Sequence, residues 1–165
     1  MSEPARAEIN YAGFWRRLVA IVLDSLLYIS LSLPVLLAFY GMEYITWLRD
    51  SGGVGVMGSF DFLIQYLLPI VLIVVFLLKR GATPGKMLMD CVVVDAKTFQ
   101  PVTLKQSIVR TLGYIFSILP LYLPFLWIAF DKRKQGLHDK LAGTVVLLRA
   151  EDYSDISLDS LKQVL

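Results

Sequence analysis

Cysteine and histidine are almost absent from this sequence, and their scarcity excludes several kinds of functional site. The 165 residues include one cysteine, Cys91, and one histidine, His138. A single cysteine cannot form an intrachain disulfide, and the two residues are too few for a cysteine or histidine metal centre. The histidine lies in a strongly charged segment, which argues against a Ser/His/Asp triad. We therefore expect a protein that is not an enzyme and that uses neither a cofactor nor a metal.

Charge is equally scarce over two long stretches of the chain. Residues 18–40 contain one charged side chain, Asp24, and residues 62–78 contain none. Hydrophobic residues make up 56% of the composition, and the mean hydropathy is +0.63. About 20 apolar residues in a helix suffice to cross the hydrocarbon core of a bilayer. The pattern predicts an integral membrane protein with two transmembrane helices, Phe14 to Tyr40 and 62–78, the first an uncleaved anchor.

The distribution of lysine and arginine predicts the orientation in the membrane. These residues are concentrated before residue 18, in the loop 79–105 and in the segment 131–149, whereas the loop after the first span holds only Arg49. The positive-inside rule places the N-terminus and both basic segments in the cytoplasm, consistent with a bacterial inner (cell) membrane protein. A basic belt of this kind favours anionic lipid headgroups. The basic residues follow the topology, so we expect no nucleic-acid partner.

The third apolar segment leaves two topologies open. Residues 107–130 are long enough to span the membrane, but they contain Arg110, Pro120 and Pro124. A third full span would place the C-terminus outside. A helical hairpin over 104–130 keeps the basic segment that follows it in the cytoplasm: Thr103 caps a helix to about Leu119, the two prolines turn the chain, and a short helix returns.

Two valine-rich runs complete the predicted fold. Residues 91–95 and 143–148 are typical of strands and predict a small cytoplasmic β-pair, although each could instead be an extended connector. The predicted fold is an all-α membrane protein with two transmembrane helices, a helical hairpin or third span, and this β-pair. We divide the chain into a polar N-terminal tail (1–12), a membrane domain (13–149) and an acidic, amphipathic C-terminal tail (150–165).

Asp24 is the most costly residue of the first span. A carboxylate in a membrane helix costs ~2.5–3.5 kcal/mol on insertion scales, so it is a candidate functional residue by default. Arg17 stands seven residues earlier. That separation is two helical turns, about 10 Å along the axis, and it puts both side chains on one face. Asp24 either binds and releases a proton or small cation, or forms a permanent structural ion pair with Arg17.

Further candidate residues lie in the basic segments. Asp131 and Asp139 stand among lysines and arginines, and we expect Asp139 to form an ion pair with Arg17 or Arg16. His138 is either a proton sensor near neutral pH or an ordinary surface or hydrogen-bonded residue. The turn 83–86 has a Gly-Lys pair without the full phosphate-loop spacing, so we expect it to turn the chain, with its lysine near lipid headgroups.

Several motifs together resemble the RDD family of membrane proteins. They are the opening Tyr-Ala-Gly-Phe-Trp-Arg-Arg-Leu with Asp24, the run Thr-Pro-Gly-Lys at 83–86, Arg110, and Asp-Lys-Arg-Lys-Gln-Gly-Leu-His-Asp-Lys-Leu-Ala-Gly-Thr-Val-Val from residue 131. The resemblance covers roughly residues 10–149. It implies a small polytopic protein involved in transport, and sodium/proton exchange has been proposed for some relatives.

The arginine and two aspartates of the family name can be placed on this sequence by the same resemblance. It assigns the arginine to Arg17 or the adjacent Arg16, the first aspartate to Asp24, and the second to Asp139 with Asp131 as its rival. These five residues and Arg110 are therefore the candidates for a buried polar cluster.

Two functions follow as hypotheses. The first is transport of an ion or small solute, such as a proton or small cation, through the Arg/Asp cluster of a homo-oligomer. The second is a non-transporting scaffold or assembly factor that holds partner membrane proteins. A transporter requires a route for water to Asp24, whereas a scaffold is expected to have Asp24 sealed by Arg17.

Overall fold

A computed structural model describes residues 10–53, 55–118, 128 and 131–149, with the backbone alone for 115–118. Within these ranges the helices are α1 (Phe14–Tyr40), α2 (Glu43–Ser51), α3 (Ser59–Arg80), α4 (Pro84–Leu88), α5 (Leu104–Ile118) and α6 (Leu137–Ala142). The strands are β1 (Cys91–Asp95) and β2 (Thr144–Leu148).

Helices α1 and α3 are two candidate membrane spans. They contain 27 and 22 residues, and the mean hydropathy of their most apolar windows is 2.1 and 2.5. Only 6% and 11% of those windows are buried inside the protein. The core helix of a soluble domain, by contrast, is mostly buried. Their apolar side chains therefore face outward, where lipid would contact them. The two predicted apolar helices are confirmed, and the second begins at Ser59 rather than at residue 62.

A π-helical turn, Leu63–Leu67, interrupts α3 before Pro69. Proline has no backbone N–H, so the carbonyl four residues earlier loses its usual partner and the helix widens locally. The hydroxyl of Tyr28 on α1 donates a hydrogen bond to the Ile64 carbonyl in this turn. A polar contact thus joins the two spans at the irregular part of α3.

At the end of the spans where α2 connects them, a polar cluster surrounds the buried Asp61. Its carboxylate accepts hydrogen bonds from the Met57 N–H at 2.8 Å, from the Tyr44 hydroxyl at 3.3 Å and from the Gln65 amide. The Tyr40 hydroxyl accepts from the Asp61 N–H at 3.2 Å. An acid in the first turn of α3 complements the positive end of the helix. No motif or charge pattern in the sequence indicated a role for Asp61.

The two strands pair antiparallel, from Cys91↔Leu148 to Asp95↔Thr144. The segment before α1 extends the pairing, because the Asn10 carbonyl accepts from the Leu148 N–H at 2.8 Å and the Ala12 N–H donates to the Val146 carbonyl at 2.9 Å. A small core joins this sheet to the end of α3: Ala12, Leu77, Cys91, Val93, Val102 and Val146. The predicted pairing of the two strands is confirmed, and their cytoplasmic location stays a prediction.

The first limb of the predicted hairpin is present as α5. The Thr103 hydroxyl accepts from the Gln106 N–H at 3.3 Å, and the Gln106 side chain accepts from the Thr103 N–H at 3.0 Å. This reciprocal pair is a capping box, so the predicted start of the helix at Thr103 is confirmed. The proline turn and most of the returning helix lie outside the described residues, as do the tails 1–9 and 150–165. The choice between a hairpin and a third span stays a prediction.

Helix α4 packs closely against α1, and Gly85 makes the approach possible. A Cβ atom at Gly85 would lie 2.2 Å from the Ala20 carbonyl oxygen and 2.9 Å from the Cγ of Asp24. Pro84, at the first position of α4, has the backbone angle that a helix start requires. The predicted turn at 83–86 is therefore the start of a short helix whose backbone touches the first span.

We expect Gly85→Ala to destabilise the protein by about 1–3 kcal/mol, because the added methyl group meets rigid backbone of α1 and forces the two helices apart. Thermal unfolding in detergent measures the effect. Gly13→Ala is the matched control, since no heavy atom lies within 4 Å of a Cβ atom added there. Equal unfolding temperatures for the two variants would contradict the close contact between α4 and α1.

Candidate functional site

Asp139 lies between two arginines that come from distant parts of the chain. Its Oδ2 is 2.5 Å from Nη1 of Arg17 at the start of α1, and its Oδ1 forms an ion pair with Nη1 of Arg110 on α5. The Arg17 Nε also donates to the Ala12 carbonyl at 3.0 Å. The three side chains are 3%, 1% and 0% exposed for Arg17, Arg110 and Asp139. We call these three residues the RDR cluster.

Local structure places Asp139 at this point. It occupies the first turn of α6, where its Oδ2 also accepts from the Gly136 N–H at 3.0 Å, so the carboxylate complements the helix start. Gly113 of α5 lies against the backbone of α6: a Cβ atom there would be 3.0 Å from the Cα of His138. The close approach of α5 to α6 brings Arg110 within reach of Asp139.

A second layer of polar side chains surrounds Arg110. The guanidinium donates to the Thr144 hydroxyl at 2.7 Å and to the Tyr114 hydroxyl oxygen at 3.4 Å. Lys86 of α4 donates to the same tyrosine oxygen at 3.2 Å and is almost fully buried. The expectation that Lys86 lies near lipid headgroups is therefore wrong. The Thr-Pro-Gly-Lys motif at 83–86 was the one signal in the sequence that drew attention to Lys86. The motif is too short to show an apolar periodicity, so the sequence did not indicate that this side chain points inward.

The RDR cluster and Lys86 hold three basic side chains and one carboxylate. Burial by itself would raise the pKa of Asp139, but the positive charges of Arg110 and Arg17 hold it well below its usual range. Asp139 is therefore ionised at neutral pH. Among the described residues, the Arg17 Nη2 and Arg110 Nε atoms are buried without a hydrogen-bond partner. The cluster thus retains donors that its single carboxylate does not satisfy.

His138 is buried beside the RDR cluster. Its ring lies 4.2 Å from the Tyr114 ring between centroids, and its Nε2 is 3.5 Å from Oδ1 of Asp139. Burial lowers the pKa of His138 to about 3, against the opposing effect of the Asp139 charge. The imidazole is neutral at physiological pH. The interpretation of His138 as a proton sensor near neutral pH is therefore wrong, whereas a packed, structural histidine matches the geometry.

Asp24 has partners other than the predicted one. Its Oδ2 accepts from the Thr83 hydroxyl at 2.5 Å, and its Oδ1 accepts from the Gly85 N–H at 2.6 Å. Among the described residues no ion pair joins Asp24 to Arg17, so the predicted pair is wrong. Asp24 instead caps the start of α4, where both donors converge. Because Thr83 follows Arg80 by only three residues, Asp24 contacts the turn that comes directly after the basic end of α3.

The remaining candidates lie outside the cluster. Arg16 is exposed on the surface of α1. Asp131 pairs with Lys140 at 2.6 Å and accepts from the N–H groups of Arg133 and Gln135, both at 3.1 Å, so it stabilises the turn before α6.

We expect Asp139→Asn to destabilise the protein by about 3–5 kcal/mol, because it leaves two buried guanidinium groups without a counter-charge. Thermal or denaturant unfolding in detergent measures the loss. Asp131→Asn is the control, because its partner Lys140 is 42% exposed and ion pairs that water reaches contribute ~1 kcal/mol or less. A wild-type unfolding temperature for Asp139→Asn would show that the RDR cluster does not hold the fold.

We expect the stability of the protein to fall as the pH falls below 6.5, the ordinary pKa of histidine. From there down to about pH 3, the unfolded chain takes up a proton on His138 that the folded protein excludes. The loss is at most ~1.4 kcal/mol per pH unit, or roughly 2–4 °C in unfolding temperature. His138→Gln should show a flatter profile between pH 6.5 and about 4.5. Identical slopes in the two proteins would contradict a buried neutral histidine.

Comparison with known proteins supports the family resemblance. The sequence matches the RDD family over residues 11–143. It is 40% identical over 74 residues to the uncharacterized protein RP437 of Rickettsia prowazekii (strain Madrid E), a match that covers 45% of this chain and 40% of that protein. It is 28% identical over 155 residues to the uncharacterized protein YxaI of Bacillus subtilis (strain 168), covering 84% and 97% of the two chains. No solved structure matches the chain.

Because the family match spans most of the chain and includes Arg17, Asp24, Arg110 and Asp139, this protein belongs to the RDD family of membrane proteins.

Proposed function

We propose that this protein is a non-transporting membrane scaffold, in which the RDR cluster holds a polar unit against two membrane spans. The observation that carries the proposal is the burial of the cluster: its three side chains are at most 3% exposed and pair with one another. Partner membrane proteins, or further copies of the same chain, would bind to the outward-facing surfaces of α1 and α3. On this view the protein is not an enzyme.

The chemistry of the two aspartates supports a scaffold. A carrier carboxylate has to release its counter-ion and meet water during each cycle, whereas a buried ion pair that loses one partner is strongly destabilised. Asp139 pairs with two arginines, and both oxygens of Asp24 accept hydrogen bonds at the start of α4. Each carboxylate is therefore already engaged in holding two parts of the chain together.

We also propose an orientation for the protein in the membrane. The basic end of α3, the β-pair and α6 lie together on one side of the two spans, where Lys79, Arg80 and the lysines and arginines of 131–149 are concentrated. The positive-inside rule places this side in the cytoplasm. The N-terminus then faces the cytoplasm, and the loop with α2 faces the other side of a bacterial cell membrane.

Transport of a proton or small cation is the second candidate, and one observation favours it. Asp24 lies on a candidate membrane span and is only partly buried, and Arg17, which was expected to seal it in a scaffold, pairs with Asp139 instead. A carboxylate in such a position is a common ion-binding group in transporters. In a homo-oligomer, a neighbouring copy could complete a polar route to Asp24 that one chain does not provide.

Flux measurements in proteoliposomes separate the two functions. We expect sodium and proton flux in vesicles with the wild-type protein to equal that in protein-free vesicles. Asp24→Asn is the test variant and Asp131→Asn the control, since Asp131 lies outside the cluster in the turn before α6. Wild-type flux above background that Asp24→Asn abolishes and Asp131→Asn retains would overturn the scaffold and support a carrier.

The scaffold also makes a positive prediction about assembly. Protein extracted from its native membrane in mild detergent should migrate as a larger complex than the purified chain, because partners remain bound. Equal sizes for the extracted and purified protein would contradict a scaffold of partner proteins and would leave the homo-oligomer as its largest assembly.

A further inference from the structure

We propose that the protein has a specific binding site for an anionic phospholipid, in a groove between the basic end of α3 and the β1–β2 sheet. Two adjoining hollows, of about 420 Å³ and 130 Å³, share Arg80 and Arg149 as lining residues. Lys79 lines the larger hollow as well. This groove is separate from the RDR cluster. Lipid binding there does not depend on whether the protein is a scaffold or a carrier.

The groove carries an excess of positive charge that the described part of the chain does not neutralise. Lys79, Arg80 and Arg149 are all exposed, and within the described ranges none has a carboxylate partner within 4 Å. Asp90, in the smaller hollow, is the one acidic residue among the described residues that line the two hollows. Three basic side chains against one carboxylate attract an anionic group. Arginine is well suited to a phosphate, because its planar guanidinium can donate two parallel hydrogen bonds.

Hydrogen bonds anchor the backbone next to Arg80 and at Arg149. Gly81 ends α3 with a φ of +66°, and its carbonyl accepts from the Val93 N–H of β1 at 2.7 Å. A Cβ atom at Gly81 would lie 3.0 Å from a methyl carbon of Val92, so the close approach of α3 to the strand favours glycine. On the opposite wall, the Arg149 N–H donates to the Asp90 carbonyl at 2.6 Å. Arg80 and Arg149 therefore flank the groove from anchored backbone.

The apolar wall of the groove identifies a lipid rather than a soluble anion. The larger hollow is also lined by Leu78, Val92, Phe99 and Pro101. Leu78 continues into the exposed apolar face of α3, which includes Val75 and Val71. A phospholipid phosphate can contact the basic residues while an acyl chain follows this face into the membrane. A free phosphate would contact only the basic part of the groove.

The experiment measures stabilisation of the full-length protein in detergent by added lipid, because a ligand that binds the folded state raises its unfolding temperature. Phosphatidylglycerol is the anionic probe, phosphatidylcholine is the zwitterionic control, and inorganic phosphate is the control for a soluble anion. We expect phosphatidylglycerol to raise the unfolding temperature and the other two to have less than half its effect. Equal shifts from phosphatidylcholine, or from inorganic phosphate at the same concentration, would overturn the proposal.

Matched variants locate the site. Arg80→Gln combined with Arg149→Gln should lose more than half of the shift caused by phosphatidylglycerol, measured from the variant's own lipid-free baseline. Lys97→Gln combined with Lys105→Gln removes the same charge from exposed positions outside the two hollows and should keep the wild-type shift. Native mass spectrometry of bound lipid gives an independent reading if the first variant is less stable. Full retention of lipid by that variant, or equal losses in both, would exclude a specific site in this groove.

Discussion

One buried carboxylate, Asp139, connects parts of the chain that are far apart in sequence. It binds Arg17 at the start of α1 and Arg110 on α5, and it caps α6, to which it belongs. Removing charges from water is costly, and pairing recovers that cost only when all members are in place. The first span, α5 and α6 therefore have to assemble together. The close packing of α5 on α6 at Gly113 places the buried His138 beside the same carboxylate.

A second polar contact joins α1 to α4. Asp24 on α1 accepts hydrogen bonds from Thr83 and Gly85, and α4 then directs Lys86 inward to Tyr114, which also contacts Arg110. The two aspartates thus act on one connected network rather than on two sites. A network of this kind is rigid when its members are paired, which is more compatible with a structural support than with a group that changes partners in each cycle.

Much of the fold follows from local patterns. The two apolar spans, the valine-rich strands and the capping box at Thr103 were all predictable, because each depends on residues close together in sequence. The contact between Arg17 and Asp139 was predicted through the family resemblance together with the chemistry of the pair. The partners of Asp24 were not predicted. Helical spacing places Arg17 on the same face as Asp24, but it gives no information about Thr83 and Gly85, which lie 59 and 61 residues away in the sequence. The burial of His138 and Lys86 was missed for the same reason.

The sequence by itself determined that this is a membrane protein with two long apolar helices and a basic side, because hydropathy and charge act over single segments. Tertiary structure alone decided which charges are paired. A carboxylate on one helix can meet a cation, a hydroxyl group or a helix start, and the choice depends on which backbone comes within about 3 Å after packing. Here glycines at 85 and 113 allow that approach, and the close contacts they permit bring Asp24 to α4 and Arg110 to Asp139.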